Sequence, residues 1–87
     1  MVTNQSLVLK SLYWSGKEQT VKEISKDTGL NSSQIHTAIV SLKSMNYIKV
    51  RREPPYWKDG KLHSHLIFAK LVNPQLTEQT LKKRGVL

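Results

Sequence analysis

The chain has 87 residues, no cysteine and a formal charge of +8, from 14 Lys and Arg against 6 Asp and Glu. That length suffices for one domain and is too short for two, and without cysteine neither a disulfide nor a thiolate metal site can form. No apolar run has the length of a membrane span, and the opening MVTNQSLVLK lacks the basic and apolar segments of a secretion signal, so a cytoplasmic protein with no membrane partner is expected.

The charge is unevenly spread. Residues 1–42 carry four basic and three acidic groups, net +1, whereas residues 43–87 carry ten basic and three acidic, net +7. A one-sided basic balance favours a polyanionic partner, nucleic acid before an anionic membrane.

Residues 5–15 place Val8, Leu9, Leu12 and Tyr13 on one stripe, which predicts an amphipathic helix, and Gly16 is a plausible stop. Thr20 followed three residues later by Glu23 is a capping box. It predicts a second helix over 21–28, with Val21 and Ile24 inward and Gly29 closing it. Asn31 and Gln34 repeat the same device for a third helix over 32–45. Ile35, Ala38, Ile39, Leu42 and Met45 form its apolar stripe, and Asn46 is a left-handed cap.

From Tyr47 the period changes to two. Ile48 and Val50 alternate with Lys49 and Arg51, the pattern of a half-buried strand. Leu66 to Leu71 is its partner, and Asp59-Gly60 is the hairpin turn, because both turn positions need positive φ. A two-residue turn there pairs Val50 with Ala69 and Ile48 with Leu71, all apolar. Pro54 and Pro55 cannot donate to a ladder, so pairing should lapse near them. Asn73-Pro74 then caps a last short helix over 75–83, which ends in Lys82-Lys83-Arg84, suited to the helix dipole.

Two short helices joined at Gly29-Leu30-Asn31 and followed by a hairpin have the order of a winged helix-turn-helix. The segment Ile24-Ser25-Lys26-Asp27-Thr28-Gly29-Leu30-Asn31-Ser32-Ser33-Gln34-Ile35 resembles the helix-turn-helix of winged-helix transcription regulators. Ser41 to Ile48 resembles their next segment, and Asp59-Gly60-Lys61 is similar to the wing tip of MarR-like members. The resemblance covers about residues 5–71. Asn46 stands where those proteins usually have glycine, and their long flanking dimerisation helices are missing. It implies an α+β fold in one domain over 1–87, with three helices, a two-stranded wing over 47–71 and a short C-terminal helix. It also implies binding to double-stranded DNA and regulation of transcription.

The residues point to the same surface without the family. With its apolar stripe on the core, the third helix turns Ser33, His36, Thr37, Val40 and Ser44 outward, with Ser41 at the edge. Small polar side chains allow close approach to base edges in a major groove. Ser32 and Ser33 sit at a helix N-terminus, where hydroxyls and free N–H groups can hold phosphate. Lys43, Lys49, Arg51, Arg52, Lys58, Lys61 and Lys70 all fall at the end of this helix or on the hairpin, and Tyr56 joins the wing's contact set. Lys49, Arg51 and Lys70 share the face away from the core. Lys58 and Lys61 flank the turn, in reach of phosphates or a minor groove. Tyr56 and Trp57 beside Lys58 could stack on bases or sugars; for Trp57, packing onto the domain to fix the hairpin is the more frequent arrangement, and which way the two rings face stays open.

Other chemistries find little here. His63 and His65 share a strand face, but two ligands do not make a metal site and His36 lies on another element. No carboxylate pair, nucleophile–base spacing or glycine-rich phosphate loop supports catalysis, and neither a cofactor nor a small-molecule ligand is indicated. Pro54-Pro55-Tyr56-Trp57 resembles the wing of Z-form-binding winged helices, but His36 and Val40 replace the asparagine and tyrosine those domains carry. Leu7, Val8, Tyr13, Trp14, Leu76 and Leu81 exceed what a lone helix-turn-helix needs, so a homodimer is expected. A replication-initiation or partition protein, or a winged-helix protein-interaction module, would use the same fold.

Overall fold

A computed structural model describes residues 3–63 and 66–86, the His63 side chain excepted. Helix α1 (Asn4–Ser15) is opened by Thr3, whose side chain accepts from the Ser6 N–H. Strand β1 (Gln19–Thr20) follows, then α2 (Val21–Thr28), α3 (Ser32–Ser44), β2 (Ile48–Glu53), β3 (Tyr56–Lys58), β4 (Lys61–His63), β5 (Leu66–Leu71) and α4 (Pro74–Lys83). Both predicted capping boxes are formed, Thr20 with Glu23 and Asn31 with Gln34. Each pair satisfies two N–H groups that the first helical turn would otherwise leave unbonded.

The turn between α2 and α3 needs Gly29, whose φ of +77° is strained for any side chain. Ser25 Oγ donates to the Leu30 carbonyl at 2.7 Å and the Leu30 N–H donates to Thr28 Oγ1 at 3.2 Å. These bonds fasten the turn to the end of α2. At the far end of α3, Asn46 adopts φ +63° and reverses the chain into β2. Asparagine tolerates that conformation better than other non-glycine residues, so it serves where a glycine would be expected.

The core joins all the helices to the sheet: Val8, Leu9 and Leu12 from α1, Ile24 from α2, Ile35, Ala38, Ile39 and Leu42 from α3, Ile48 and Ala69 from the sheet, and Leu81 from α4. Three expectations change here. Val8 and Leu81 are fully buried within one chain, so the apolar surplus that suggested a homodimer shrinks chiefly to Trp14 and Leu76, with Leu7 and Tyr13 half-buried. Met45 is 45% exposed rather than part of the core, because α3 ends at Ser44 and Met45 is already its cap. The last helix also starts one residue earlier than expected, with Pro74 in its first turn.

The sheet is antiparallel in the order β1-β5-β2. Ile48 faces Leu71 and Val50 faces Ala69, as the two-residue turn requires. The unexpected strand is β1, which covers the free edge of β5. Its Gln19 is buried, and Nε2 donates to the Ser11 carbonyl at 3.0 Å, fastening the sheet edge to α1. Beyond Glu53 the ladder lapses at Pro54 and Pro55 and resumes at Tyr56. Glu53–Leu66 and Tyr56–His63 keep one register, each pair of numbers summing to 119. Asp59 and Gly60 both have positive φ at the tip, the conformation of a type I′ turn.

The β3–β4 ribbon gives the molecule its long axis, 48 Å against 23 and 21 Å. Its radius of gyration is 13.6 Å, where a chain of this length packed evenly would have about 12 Å. Among the described residues no helix is long and apolar enough to cross a membrane.

Leu42 has no exposed surface, so Leu42→Ala should cost about 2–5 kcal/mol in urea unfolding, a large part of the stability of a domain this small. Asn46→Val should cost about 1–2 kcal/mol, because the branched side chain must enter the left-handed region, whereas Asn46→Gly should leave the midpoint nearly unchanged.

Candidate nucleic-acid interface

Burial of Ile35, Ala38, Ile39 and Leu42 fixes the rotation of α3. The opposite face follows: Ser32, Ser33, His36, Thr37, Val40 and Ser44 are exposed, with Ser41 half-buried at the edge and Lys43 exposed near the C-terminal end. Val40, 68% exposed, is the one large apolar side chain on that face. The Thr37 hydroxyl donates to the Ser33 carbonyl at 3.0 Å, which leaves its oxygen able to accept. The Gln34 side chain is partly committed, since Oε1 accepts from the Asn31 N–H. Every recognition-helix candidate therefore lies on one surface.

Two grooves border that surface, and each adds residues that the sequence did not single out. On one side Thr3, Asn4 and Gln5 from the start of α1 line a groove of about 400 Å³ with Ser33, Gln34 and Thr37. On the other, Lys22 and Ser25 from α2 line a cleft of about 410 Å³ with Ser32, His36, Leu66 and Ile67. The sequence carries no local signal for either, because both arise from packing α1 and the hairpin beside α3.

The hairpin's charges divide by face. Lys49 lies opposite Lys70, and Arg51 opposite Phe68, on the face away from the core. Arg52 lies opposite Ile67, and neighbours across a ladder share a face, so Arg52 is on the side of the His36 cleft. Lys58 lies opposite Lys61 beside the turn, and both are exposed. Tyr56 is exposed too, and Trp57, expected to pack onto the domain, is instead 73% exposed. The ribbon projects past the helices, so Trp57 has little to pack against. Its cross-strand neighbour is Leu62, itself 60% exposed.

Arg51 is not a free charge. Its guanidinium meets Glu18 through Nη2 at 2.5 Å and through Nε at 3.4 Å, and meets Glu53 through Nη1 at 2.6 Å. Its Cζ sits 4.1 Å from the centre of the Phe68 ring, within cation–π range. One positive group thus faces two carboxylates and joins the segment before β1 to β2. The hydrogen bond from Arg51 holds the Glu18 carboxyl below its ordinary range, against a smaller opposing effect of desolvation. The carboxylates in turn hold Arg51 more firmly in its charged form.

Among the described residues no group of three or more His, Cys, Asp or Glu could hold a metal ion. His65 and the side chain of His63 lie outside the described residues.

Against known proteins, no family model matches this sequence, and no curated protein matches it. Among solved structures it is similar to BpsR of Bordetella bronchiseptica, with a TM-score of 0.72 and 17% identity over 95% of this chain. The two chains share a fold. This chain spans 58% of the length of BpsR, whose structure is described in terms of regulation of its DNA binding by 6-hydroxynicotinic acid.

A carboxylate whose folded pKa is depressed contributes stability above its unfolded value, lost as pH falls through the folded one. The Glu18–Arg51 contact should therefore be fully formed above about pH 4.3, the ordinary glutamate value, and dissolve below the lowered midpoint. Side-chain NMR titration should place the Glu18 midpoint below that ordinary value, and Arg51→Ala should move it upward.

Proposed function

We propose that this is a winged-helix protein that binds double-stranded DNA to regulate transcription. Helix α3 enters the major groove, and the hairpin meets phosphates or the adjacent minor groove. One observation carries the reading: the exposed face of α3 is small and polar, and a projecting hairpin with lysines at its tip stands beside it. A major groove about 12 Å wide accepts a helix, and side chains such as Ser33, Thr37 and Ser44 let it come close. Val40 is placed to meet a thymine methyl. The fold shared with a DNA-binding protein supports the reading, whereas the small-molecule regulation of BpsR is a property of that protein and is not carried over.

Within the proposed contact set Lys22 and Arg52 join Ser32 and His36 around the cleft, while Arg51 acts as a brace for the hairpin's base rather than a phosphate contact. A protein-interaction module would favour an apolar outer face on α3, and Val40 alone does not provide one.

Fluorescence anisotropy with random-sequence duplex should show binding at low salt that weakens steeply as salt rises. Each phosphate contact contributes about 0.9 to the slope of log K against log salt, so Lys58→Ala with Lys61→Ala should flatten that slope by about 1.8. Val40→Glu puts a negative charge on the exposed face of α3 without touching the core, and should weaken binding about ten-fold or more at an unchanged melting temperature. No binding at low salt would refute the reading.

A further inference from the structure

The wing carries more than charge. Trp57 and Leu62 lie directly opposite each other on β3 and β4, 73% and 60% exposed, one step from the Lys58–Lys61 pair at the tip. Successive strand residues point to opposite faces. Trp57 and Leu62 therefore share one face of the ribbon, and Tyr56, Lys58 and Lys61 share the other. We propose, building on duplex binding, that Trp57 and Leu62 form an apolar wedge that enters the minor groove, unstacks a base step and bends the DNA.

Three observations favour this occupant. First, the pair lies on the β3–β4 ribbon one step short of its tip pair, on a molecule 48 Å long and 23 Å across, and it is not part of the buried core cluster. Second, Lys58 and Lys61 are like charges directly opposite each other, an arrangement that weakens a hairpin on its own and is relieved by an anion. Their flexible stems can carry the ammonium groups round the tip toward phosphates while the other face stays apolar. The same charges repel a second copy of the tip, which argues against a wing-to-wing contact. Third, the ribbon's size demands deformation. Paired strands stand about 4.8 Å apart before their side chains are counted, and an undistorted minor groove is about 6 Å wide. A ribbon bearing a tryptophan enters only if the groove opens. Inserted apolar side chains open it by partly unstacking a step and kinking the duplex toward the major groove, the side on which α3 would lie.

The test uses the full chain. Trp14→Phe leaves Trp57 as the only tryptophan; Trp14 is 68% exposed, so the fold should tolerate the change. On saturation with random-sequence duplex, acrylamide quenching of Trp57 should fall several-fold. Circularly permuted duplexes should migrate as bent when bound by the parent chain. Trp57→Ala with Leu62→Ala should abolish the bend and weaken binding about ten-fold, the scale of one lost base–aromatic contact, with the circular-dichroism melt unchanged. If the parent chain binds duplex but Trp57 stays as open to acrylamide as in the free protein, or the double variant binds and bends alike, the wedge is overturned and duplex binding stands. Protection of Trp57 by single strands alone overturns the wedge in favour of stacking on unpaired bases. If the parent chain binds no duplex at any salt, the reading beneath it falls as well.

Discussion

Ile35, Ala38, Ile39 and Leu42 must leave water, and the Val8, Leu9 and Leu12 stripe of α1 helps supply the surface that lets them do so. That requirement sets the rotation of α3 about its axis, and the rotation decides which residues face outward. A turn of one residue, about 100°, would carry His36 or Thr37 toward the core and leave a buried polar group unpaired, at a cost of about 1–3 kcal/mol. The outward face is thus selected by what the inward face excludes. The two capping boxes and Gly29 do the same for position along the axis, because they fix where α2 ends and α3 begins.

Most of this was legible because the signals are local. A cap and its partner stand three residues apart, and a hairpin's register follows from a two-residue turn. Asp59-Gly60 therefore specified pairs as distant as Ile48 and Leu71. What the sequence hid is tertiary. Strand β1 has two residues, too few to show alternation, and its buried residue is a glutamine whose solvent is replaced by Ser11. Val8 and Leu81 count toward the apolar surplus of the sequence because the packing of α4 against α1 joins opposite ends of the chain. Trp57 was expected to pack because tryptophan usually does, and only the projection of the hairpin shows that nothing in the core lies within reach. For the candidate interface the α3 face was readable from periodicity, while Lys22 on one side of that face and the start of α1 on the other were not.

Charge counting overstated how many positive groups the hairpin leaves free. Arg51 is taken up by Glu18 and Glu53. An exposed ion pair of this kind adds little to stability. Its effect is geometric, since a guanidinium fork held from two sides and stacked on Phe68 resists rotation of β2 against β1. The hairpin leaves the domain immediately beyond that brace. Lys49 and Lys70, and again Lys58 and Lys61, are like pairs, so apart from Arg52 the hairpin charges that remain available are those whose arrangement is least favourable without a partner.

A two-stranded ribbon without a core is marginal in water, yet this one must project. Its order comes from few sources: a type I′ turn that matches the strand twist, two prolines that narrow the backbone's freedom where the ladder lapses, and a register continued from β2 and β5. The prolines also remove donors from an exposed edge, which discourages pairing with another chain. None of these devices holds the tip rigidly against the helices. A ribbon braced at its base by Arg51 and not held by the helices at its tip can keep Trp57 and Leu62 side by side, as a wedge of the proposed kind requires.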